Sequence, residues 1–180
     1  MLVALANAGR PRRPPGARHA TSVDPFEQVR SATSLLSGYL GRSVVVGELA
    51  GVRDLAAEVG RIAEDLVDGR APSLDGLNRL AAGCVGRSEV VLRSGGKLVA
   101  HVRWEAGPAA ASLARRVVEE LGEIEPARLR RCARAECGLI FYDSTRSGTQ
   151  RWHSEVPCGW RERQRRRRAH ARPSTSLKER

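Results

Sequence analysis

The sequence has few aromatic residues and no long apolar run. Aromatic side chains make up only 4% of the 180 residues, so a core must be built mainly from Leu, Val and Ala. No apolar stretch approaches the roughly 20 residues that a membrane-spanning helix needs. The opening segment MLVALANAGR is too short for a signal peptide, and no clear small-residue cleavage site follows it. We therefore expect a cytoplasmic protein with no membrane partner, made of one ordinary domain and a small module.

Lysine is almost absent, and the positive charge is concentrated at the C-terminal end. Of the 31 basic residues, only Lys97 and Lys178 are lysines. Residues 127–180 carry 15 basic and 5 acidic residues, a net charge of +10, whereas residues 23–126 have a net charge of −3. This polarity predicts a neutral-to-acidic body joined to a part that contacts a polyanion.

Residues 1–125 predict an α-rich domain with one β-hairpin. Residues 9–24 are rich in Pro, Gly and Arg, so we expect them to be flexible. A helix is predicted from Asp24, a candidate cap, and a shorter one after the candidate cap Ser73. Between them, an apolar stripe that ends near Gly69 predicts an amphipathic helix; its members are Leu49, Val52, Leu55, Val59, Ile62 and Leu66.

The pattern then changes from helical to alternating and back again. SEVVLRSGGKLVAHVRWE contains two strand-like runs joined by SGG, which is typical of a β-hairpin. PAAASLARRVVEELGEI returns to a helical spacing, with Leu113, Val117 and Leu121 on one side. The fold class that we predict for the whole chain is therefore mainly α.

Three of the four cysteines lie in the last third, at the spacing of a zinc site. Cys132, Cys137, His153 and Cys158 form the pattern C-x4-C-x15-H-x4-C. Two close ligand pairs separated by an insert can converge on one tetrahedral ion, and three thiolates with one imidazole favour Zn(II). Four protein ligands close the site, which predicts one structural ion. A disulfide is the weaker alternative in a reducing compartment, and Cys84 is expected to be a buried thiol.

The insert between the two ligand pairs is interpreted as a small hairpin. GLIFYDSTRSGTQRW has an apolar run, a polar turn at Ser147 and Gly148, and a short segment that ends in Trp152. Phe141, Tyr142 and Trp152 are expected to build a small core beside the metal, because a module of this size has little other core.

The segment RLRRCARAECGLIFYDSTRSGTQRWHSEVPCGWRERQRRRR resembles the CGNR zinc-finger family over residues 128–168. The residues that match its motifs are Phe141, Asp143, Arg151, Trp152, Cys158, Gly159 and Arg161. Two positions depart from the family pattern: His153 replaces a cysteine ligand, and Trp160 replaces the namesake asparagine. Imidazole is an accepted zinc ligand, so we expect metal binding to persist.

The resemblance implies a function and a domain arrangement. Residues 1–125 look like the ABATE domain that precedes this finger in stress-induced transcription regulators of bacteria, with an unknown small-molecule or protein effector. Residues 126–172 would form a treble-clef-like finger with an Arg-rich helix after Cys158, and residues 173–180 a disordered tail. The expected contacts with duplex DNA are Arg151, Arg161, Arg163, Arg165, Arg166, Arg167 and Arg168.

Three alternatives remain open at this point. The arginine run could be a solvated tail, or the module could bind RNA or the ribosome, because basic zinc modules serve both nucleic acids. A metal-dependent nuclease would need a general base and an open metal site. His170 is the other histidine nearby, and no two carboxylates form an obvious pair among Glu136, Asp143, Glu155, Glu162 and Glu179. We therefore predict a protein that is not an enzyme.

Overall fold

The computed structural model describes residues 1–8 and 29–170 of the chain. The flexible segment expected at 9–24, the cap at Asp24 and the tail at 173–180 lie outside the described residues. Six helices are described: α1 (Leu2–Ala6), α2 (Val29–Leu40), α3 (Leu49–Val67), α4 (Asp75–Ala81), α5 (Ala109–Glu123) and α6 (Trp160–His170). Two antiparallel pairs of strands accompany them: β1 (Gly86–Arg93) with β2 (Lys97–Trp104), and β3 (Leu129–Arg131) with β4 (Ile140–Tyr142).

The core of the body is built around α3, as its apolar stripe predicted. Every stripe residue from Leu49 to Ile62 is buried, and Leu66 packs partly buried against the same cluster. Helix α5 adds Leu113 and Val117, with four buried alanines that let the helices approach closely. The cap predicted at Ser73 is wrong: the residue before α4 is Leu74, and no side chain caps this helix.

A half-buried ion pair ties the start of α3 to the start of α5. The Glu48 carboxylate accepts a hydrogen bond of 2.7 Å from Arg42 and one of 2.8 Å from the backbone N–H of Ala109. The hydrogen bond from Arg42 lowers the pKa of Glu48 to about 2. An anion at the first turn of α5 also interacts favourably with the helix dipole.

The hairpin predicted in the body is confirmed, and the hairpin predicted within the metal module is wrong. Strands β1 and β2 pair from Gly86↔Trp104 to Arg93↔Lys97, around the SGG turn. Strand β4, however, pairs with β3 on the other side of the first cysteine pair, and the segment up to Trp152 forms no strand. The insert is instead organised by Asp143, as described below.

The small hairpin β3–β4 packs directly on the helical body. Leu129 and Ile140 lie on one of its faces and are buried in the same cluster as α3 and α5. Arg131, on that face, forms ion pairs with Glu64 and Asp68 of α3. The metal module therefore shares a core with the body.

Among the described helices, none has both the length and the apolar character to cross a bilayer.

Candidate metal centre

The first ligand pair lies in the loop between β3 and β4. Cys132 follows the last residue of β3, and its backbone N–H donates to the carbonyl of Leu139 at 2.8 Å, which extends the ladder into the loop. The N–H of Cys137 donates to the backbone carbonyl of Arg134 at 2.9 Å and closes a tight turn. Gly138 follows with a φ of +61°, a conformation that glycine adopts without a steric cost. The hairpin thus points both thiols to the same side.

The second ligand pair lies immediately before α6. His153 ends an irregular segment, and Cys158 is buried in the turn Glu155–Gly159 that leads into α6. The two ligand pairs are held together by the backbone, because Ala133 N–H donates to the carbonyl of Arg151 at 2.9 Å. The fold therefore brings all four predicted ligands together.

The ligand atoms are gathered at distances that suit one zinc ion. The four ligand atoms of Cys132, Cys137, His153 and Cys158 all lie within 4.8 Å of one another. The Cys137 Sγ and the His153 Nδ1 are 3.4 Å apart. Tetrahedral zinc, with bonds of about 2.3 Å to sulfur and about 2.0 Å to nitrogen, places its ligand atoms about 3.5–3.8 Å apart. Three sulfurs and one imidazole nitrogen are also the ligand types that zinc takes in closed structural sites.

Burial disfavours the ionisation of two of the thiols, which a bound cation would offset. Burial raises the pKa of Cys137 to about 12, and the neighbouring sulfurs of Cys132 and Cys158 act in the same direction. Burial likewise raises the pKa of Cys158. A thiol with the pKa of Cys137 stays protonated at neutral pH, whereas a bound Zn²⁺ deprotonates coordinating thiols outright. These four residues therefore form a site for one zinc ion.

Aromatic side chains pack against the site. The sequence predicted three of them, and two are found there. Phe141 is buried in one cluster with Cys132 and Cys158, and Trp152 packs against it partly buried. Tyr142 lies on the opposite face of β4, where its hydroxyl is near the backbone N–H of Glu125. Cys84 is buried and is not one of the clustered ligands, as expected.

A buried carboxylate organises the insert between the two ligand pairs. Asp143 is fully buried and accepts hydrogen bonds from the N–H and hydroxyl of Thr145, at 3.0 and 2.5 Å. It also accepts one from the N–H of Gln150, at 2.7 Å. The hydrogen bond from Thr145 is the main reason that the pKa of Asp143 is lowered. Because Asp143 holds these N–H groups, the insert closes as a loop rather than as the predicted hairpin.

Helix α6 presents arginines to solvent and buries its one acidic residue. It contains six arginines and Glu162. Glu162 is only 8% exposed and forms ion pairs with Arg165 at 2.6 Å and Arg166 at 3.5 Å. Arg163 pairs with Glu155. Within residues 29–170, Arg161, Arg167 and Arg168 form no ion pair with a carboxylate, and the last two are exposed.

The remaining candidate, Arg151, lies outside the helix. Its guanidinium is 5.5 Å from the centre of the Trp152 ring, and the guanidinium of Arg163 is 5.8 Å from the same ring. The structure therefore brings Arg151 next to α6 through Trp152.

Sequence reasoning missed one residue that positions the site. Asn7, at the end of α1, is buried and bonds both backbone polar groups of Ile140, in the strand that follows the first ligand pair. The available signal was a single amide side chain within the apolar run of MLVALANA, because a buried amide needs partners.

The comparison with known families supports the metal site. Residues 128–171 match the model of the CGNR zinc finger family. The match covers about a quarter of the chain and includes all four clustered ligands and α6. No curated protein matches the chain. The resemblance noted over residues 128–168 is confirmed, and the ABATE-like interpretation of residues 1–125 stays a prediction.

Proposed function

We propose that this chain is a zinc-finger regulator of transcription that binds duplex DNA through the arginines of α6. The observation that carries the proposal is the position of this helix. It begins two residues after the ligand Cys158, and its exposed side is formed almost entirely by arginines. Phosphate contacts by such side chains supply most of the affinity in non-specific DNA binding.

The zinc ion is assigned a structural role in orienting this helix. An isolated helix of six arginines and one glutamate would repel itself. The buried turn at Cys158 fixes its first residues, and the buried Glu162 offsets part of the charge of Arg165 and Arg166. Arg161, Arg167 and Arg168 then remain available for phosphates. In this proposal the chain is not an enzyme.

The wider assignment rests on the resemblance to the CGNR family. It includes a treble-clef-like finger, an ABATE-like domain in residues 1–125 and an effector that this domain senses; the cytoplasmic location is proposed from the sequence alone. A response to stress would follow from the same resemblance. The shared core of body and finger supports such coupling, because a change in the body around Ile140 would reach the strand beside the metal.

A direct test compares duplex DNA with structured RNA. The zinc-loaded full chain is titrated against fluorescein-labelled duplexes of both kinds, of equal length, and anisotropy is recorded at several salt concentrations. We expect tighter binding to DNA, and an affinity that falls linearly with the logarithm of salt concentration. Tighter binding to RNA at every salt concentration would instead favour an RNA-binding factor. The absence of binding to either would identify α6 as a solvated helix.

A further inference from the structure

The ribbon β1–β2 exposes large apolar side chains along one face. The register places them on the same side of the two strands, because Leu92 faces Leu98, Val90 faces Ala100 and Val102 faces Ser88. Val90, Leu92 and Leu98 are each 69% exposed, and Val102 and Trp104 are 40% and 43% exposed. We define these five side chains as the apolar face of the ribbon.

Trp104 forms the base of this face and is held flat against it. A Cβ atom at position 86 would lie 2.6 Å from the indole ring, so Gly86 is the residue that leaves room for it. The guanidinium of Arg115 on α5 lies 4.3 Å from the ring centre. The apolar face therefore begins on the helical body and extends to the turn of the ribbon.

The opposite face of the ribbon is mostly charged, with one apolar pair at its centre. The register places three polar pairs on that side, Arg87 with Arg103, Glu89 with His101, and Arg93 with Lys97, around one half-buried apolar pair, Val91 with Val99. Arg103 and Glu89 form an ion pair at 3.0 Å. The division of apolar and charged residues between the two faces matches a sheet with one buried side. A two-stranded ribbon with no such covering is at best marginally stable in water.

We propose that the apolar face is covered by the same face of a second copy of this chain, in a two-fold symmetric dimer. The face contains no charged residue, so two copies can meet without placing like charges against each other. The ribbon also belongs to residues 23–126, whose net charge is −3, rather than to the strongly basic end of the chain. Two ribbons would form a small sandwich with their apolar faces inside.

The area of the face lies at the lower limit for a specific interface. With the exposed fractions given above, the five side chains present about 500 Å² of accessible surface in each copy. Complete burial of the face in both copies would remove at most about 1,000 Å² from solvent, the smallest area at which a specific interface is expected. The segments outside the described residues are poor alternatives, because their only large apolar residues are Val23, Phe26 and Leu177. The proposal stands independently of nucleic-acid binding.

Sedimentation velocity of the zinc-loaded full chain tests this dimer. At concentrations of about 10 and 100 µM we expect a mass of twice the 19.6 kDa of one chain. Val90→Lys should raise the dissociation constant of the dimer about 100-fold or more, because it buries two unpaired charges at the interface. His101→Lys is the matched control: it places the same side chain on the charged face and should leave the dimer intact.

The controls separate loss of the dimer from loss of the fold. Each variant is checked by circular dichroism and zinc content, and Leu98→Lys on the other strand repeats the test should Val90→Lys disturb the ribbon. A wild-type chain that is monomeric at 100 µM overturns the proposal. The same holds if this monomer uses the apolar face to bind lipid vesicles or another protein. A dimer that Val90→Lys and Leu98→Lys leave unchanged also overturns it.

Discussion

Asn7 bonds to both backbone polar groups of Ile140, a residue 133 positions further along the chain. Its Nδ2 donates to the Ile140 carbonyl at 2.7 Å, and its Oδ1 accepts from the Ile140 N–H at 2.9 Å. The same Nδ2 donates to the carbonyl of Val3 at 2.8 Å, which fixes the amide on α1. These hydrogen bonds connect the end of α1 to strand β4, which follows the first ligand pair. The metal module is joined to the body by specific hydrogen bonds as well as by apolar packing.

Replacement of this amide should loosen the whole protein. Asn7→Ala leaves the N–H and carbonyl of Ile140 buried without these partners, which should lower the free energy of unfolding by about 2 kcal/mol. Urea unfolding followed by circular dichroism measures the change. Asn78→Ala is the matched control, because Asn78 is exposed on α4 and its loss should have little effect. Equal stability of the two variants would show that the Asn7 contact contributes nothing.

Loss of the Cys137 thiol should abolish zinc binding, whereas loss of the Cys84 thiol should leave it intact. Cys137→Ser removes one of the four clustered ligands, so the zinc content should fall from one ion per chain to well below one. Cys84→Ser removes the cysteine that lies outside the cluster and should retain the ion. Inductively coupled plasma mass spectrometry of the purified variants gives the ratio. A full zinc ion in Cys137→Ser would contradict the ligand assignment.

Loss of Cys137 should also affect the body, although less than the finger. Leu129 and Ile140 contribute to the main core, so an unfolded metal module withdraws apolar surface from it. We expect the body of Cys137→Ser to remain helical with a lower melting temperature. Amide exchange across α3 and β4 distinguishes the two parts: β4 should lose protection and α3 should keep most of it.

Arginines of α6 without an acidic partner should contribute more to DNA affinity than those that are paired with a carboxylate. Arg167→Ala with Arg168→Ala should reduce the slope of log affinity against log salt by about 2, one unit for each lost phosphate contact. Arg165→Ala with Arg166→Ala should reduce it less, because Glu162 already pairs with both side chains. Arg79→Ala with Arg93→Ala removes the same charge from the body and should leave the slope unchanged. If all three pairs behave alike, net charge rather than α6 determines binding.

The stability of the body should depend on pH through Glu48. Its pKa is about 2 in the folded protein, against an ordinary value of 4.5, because Arg42 donates hydrogen bonds to its carboxylate. The lower folded pKa means that its contribution is complete above about pH 5 and is lost as the pH falls towards 2. We expect Glu48→Gln to cost about 2 kcal/mol at pH 7, allowing for partial exposure of the pair, and much less at pH 3.

Denaturant unfolding at pH 7, 4 and 3 measures this dependence. Asp54→Asn, at an exposed position on α3, is the control for loss of a carboxylate elsewhere. A cost of Glu48→Gln that stays constant across this pH range would contradict the role assigned to the ion pair.

Local patterns in the sequence predicted much of the fold and the metal ligands. The stripe of α3 and the SGG turn of β1–β2 are encoded by neighbouring residues, so periodicity is enough to find them. Ligand pairs separated by four residues are local in the same sense, and the four ligands meet as predicted. The pairing of Glu162 with Arg165 and Arg166, three and four residues further along α6, also follows a local spacing, whereas the burial of Glu162 does not.

The parts that the sequence did not predict depend on contacts between distant residues. The strand that pairs with β4 was predicted wrongly, because hydrogen bonds from Thr145 and Gln150 to Asp143 close the insert as a loop. The contact between Asn7 and Ile140 has no local signature at either end beyond a polar residue in an apolar run. Periodicity describes which face of an element is buried, and it does not identify the element that covers that face.

In the proposed function, one zinc ion fixes a basic helix in the orientation that binds DNA. The most direct measurement is the affinity of the full chain for one DNA duplex with zinc bound, after removal of zinc by a chelator, and after zinc is restored. We expect the affinity to fall at least about tenfold when zinc is removed, because the turn at Cys158 no longer fixes α6, and to recover when zinc is restored. An affinity that is unchanged by removal of the ion would contradict it.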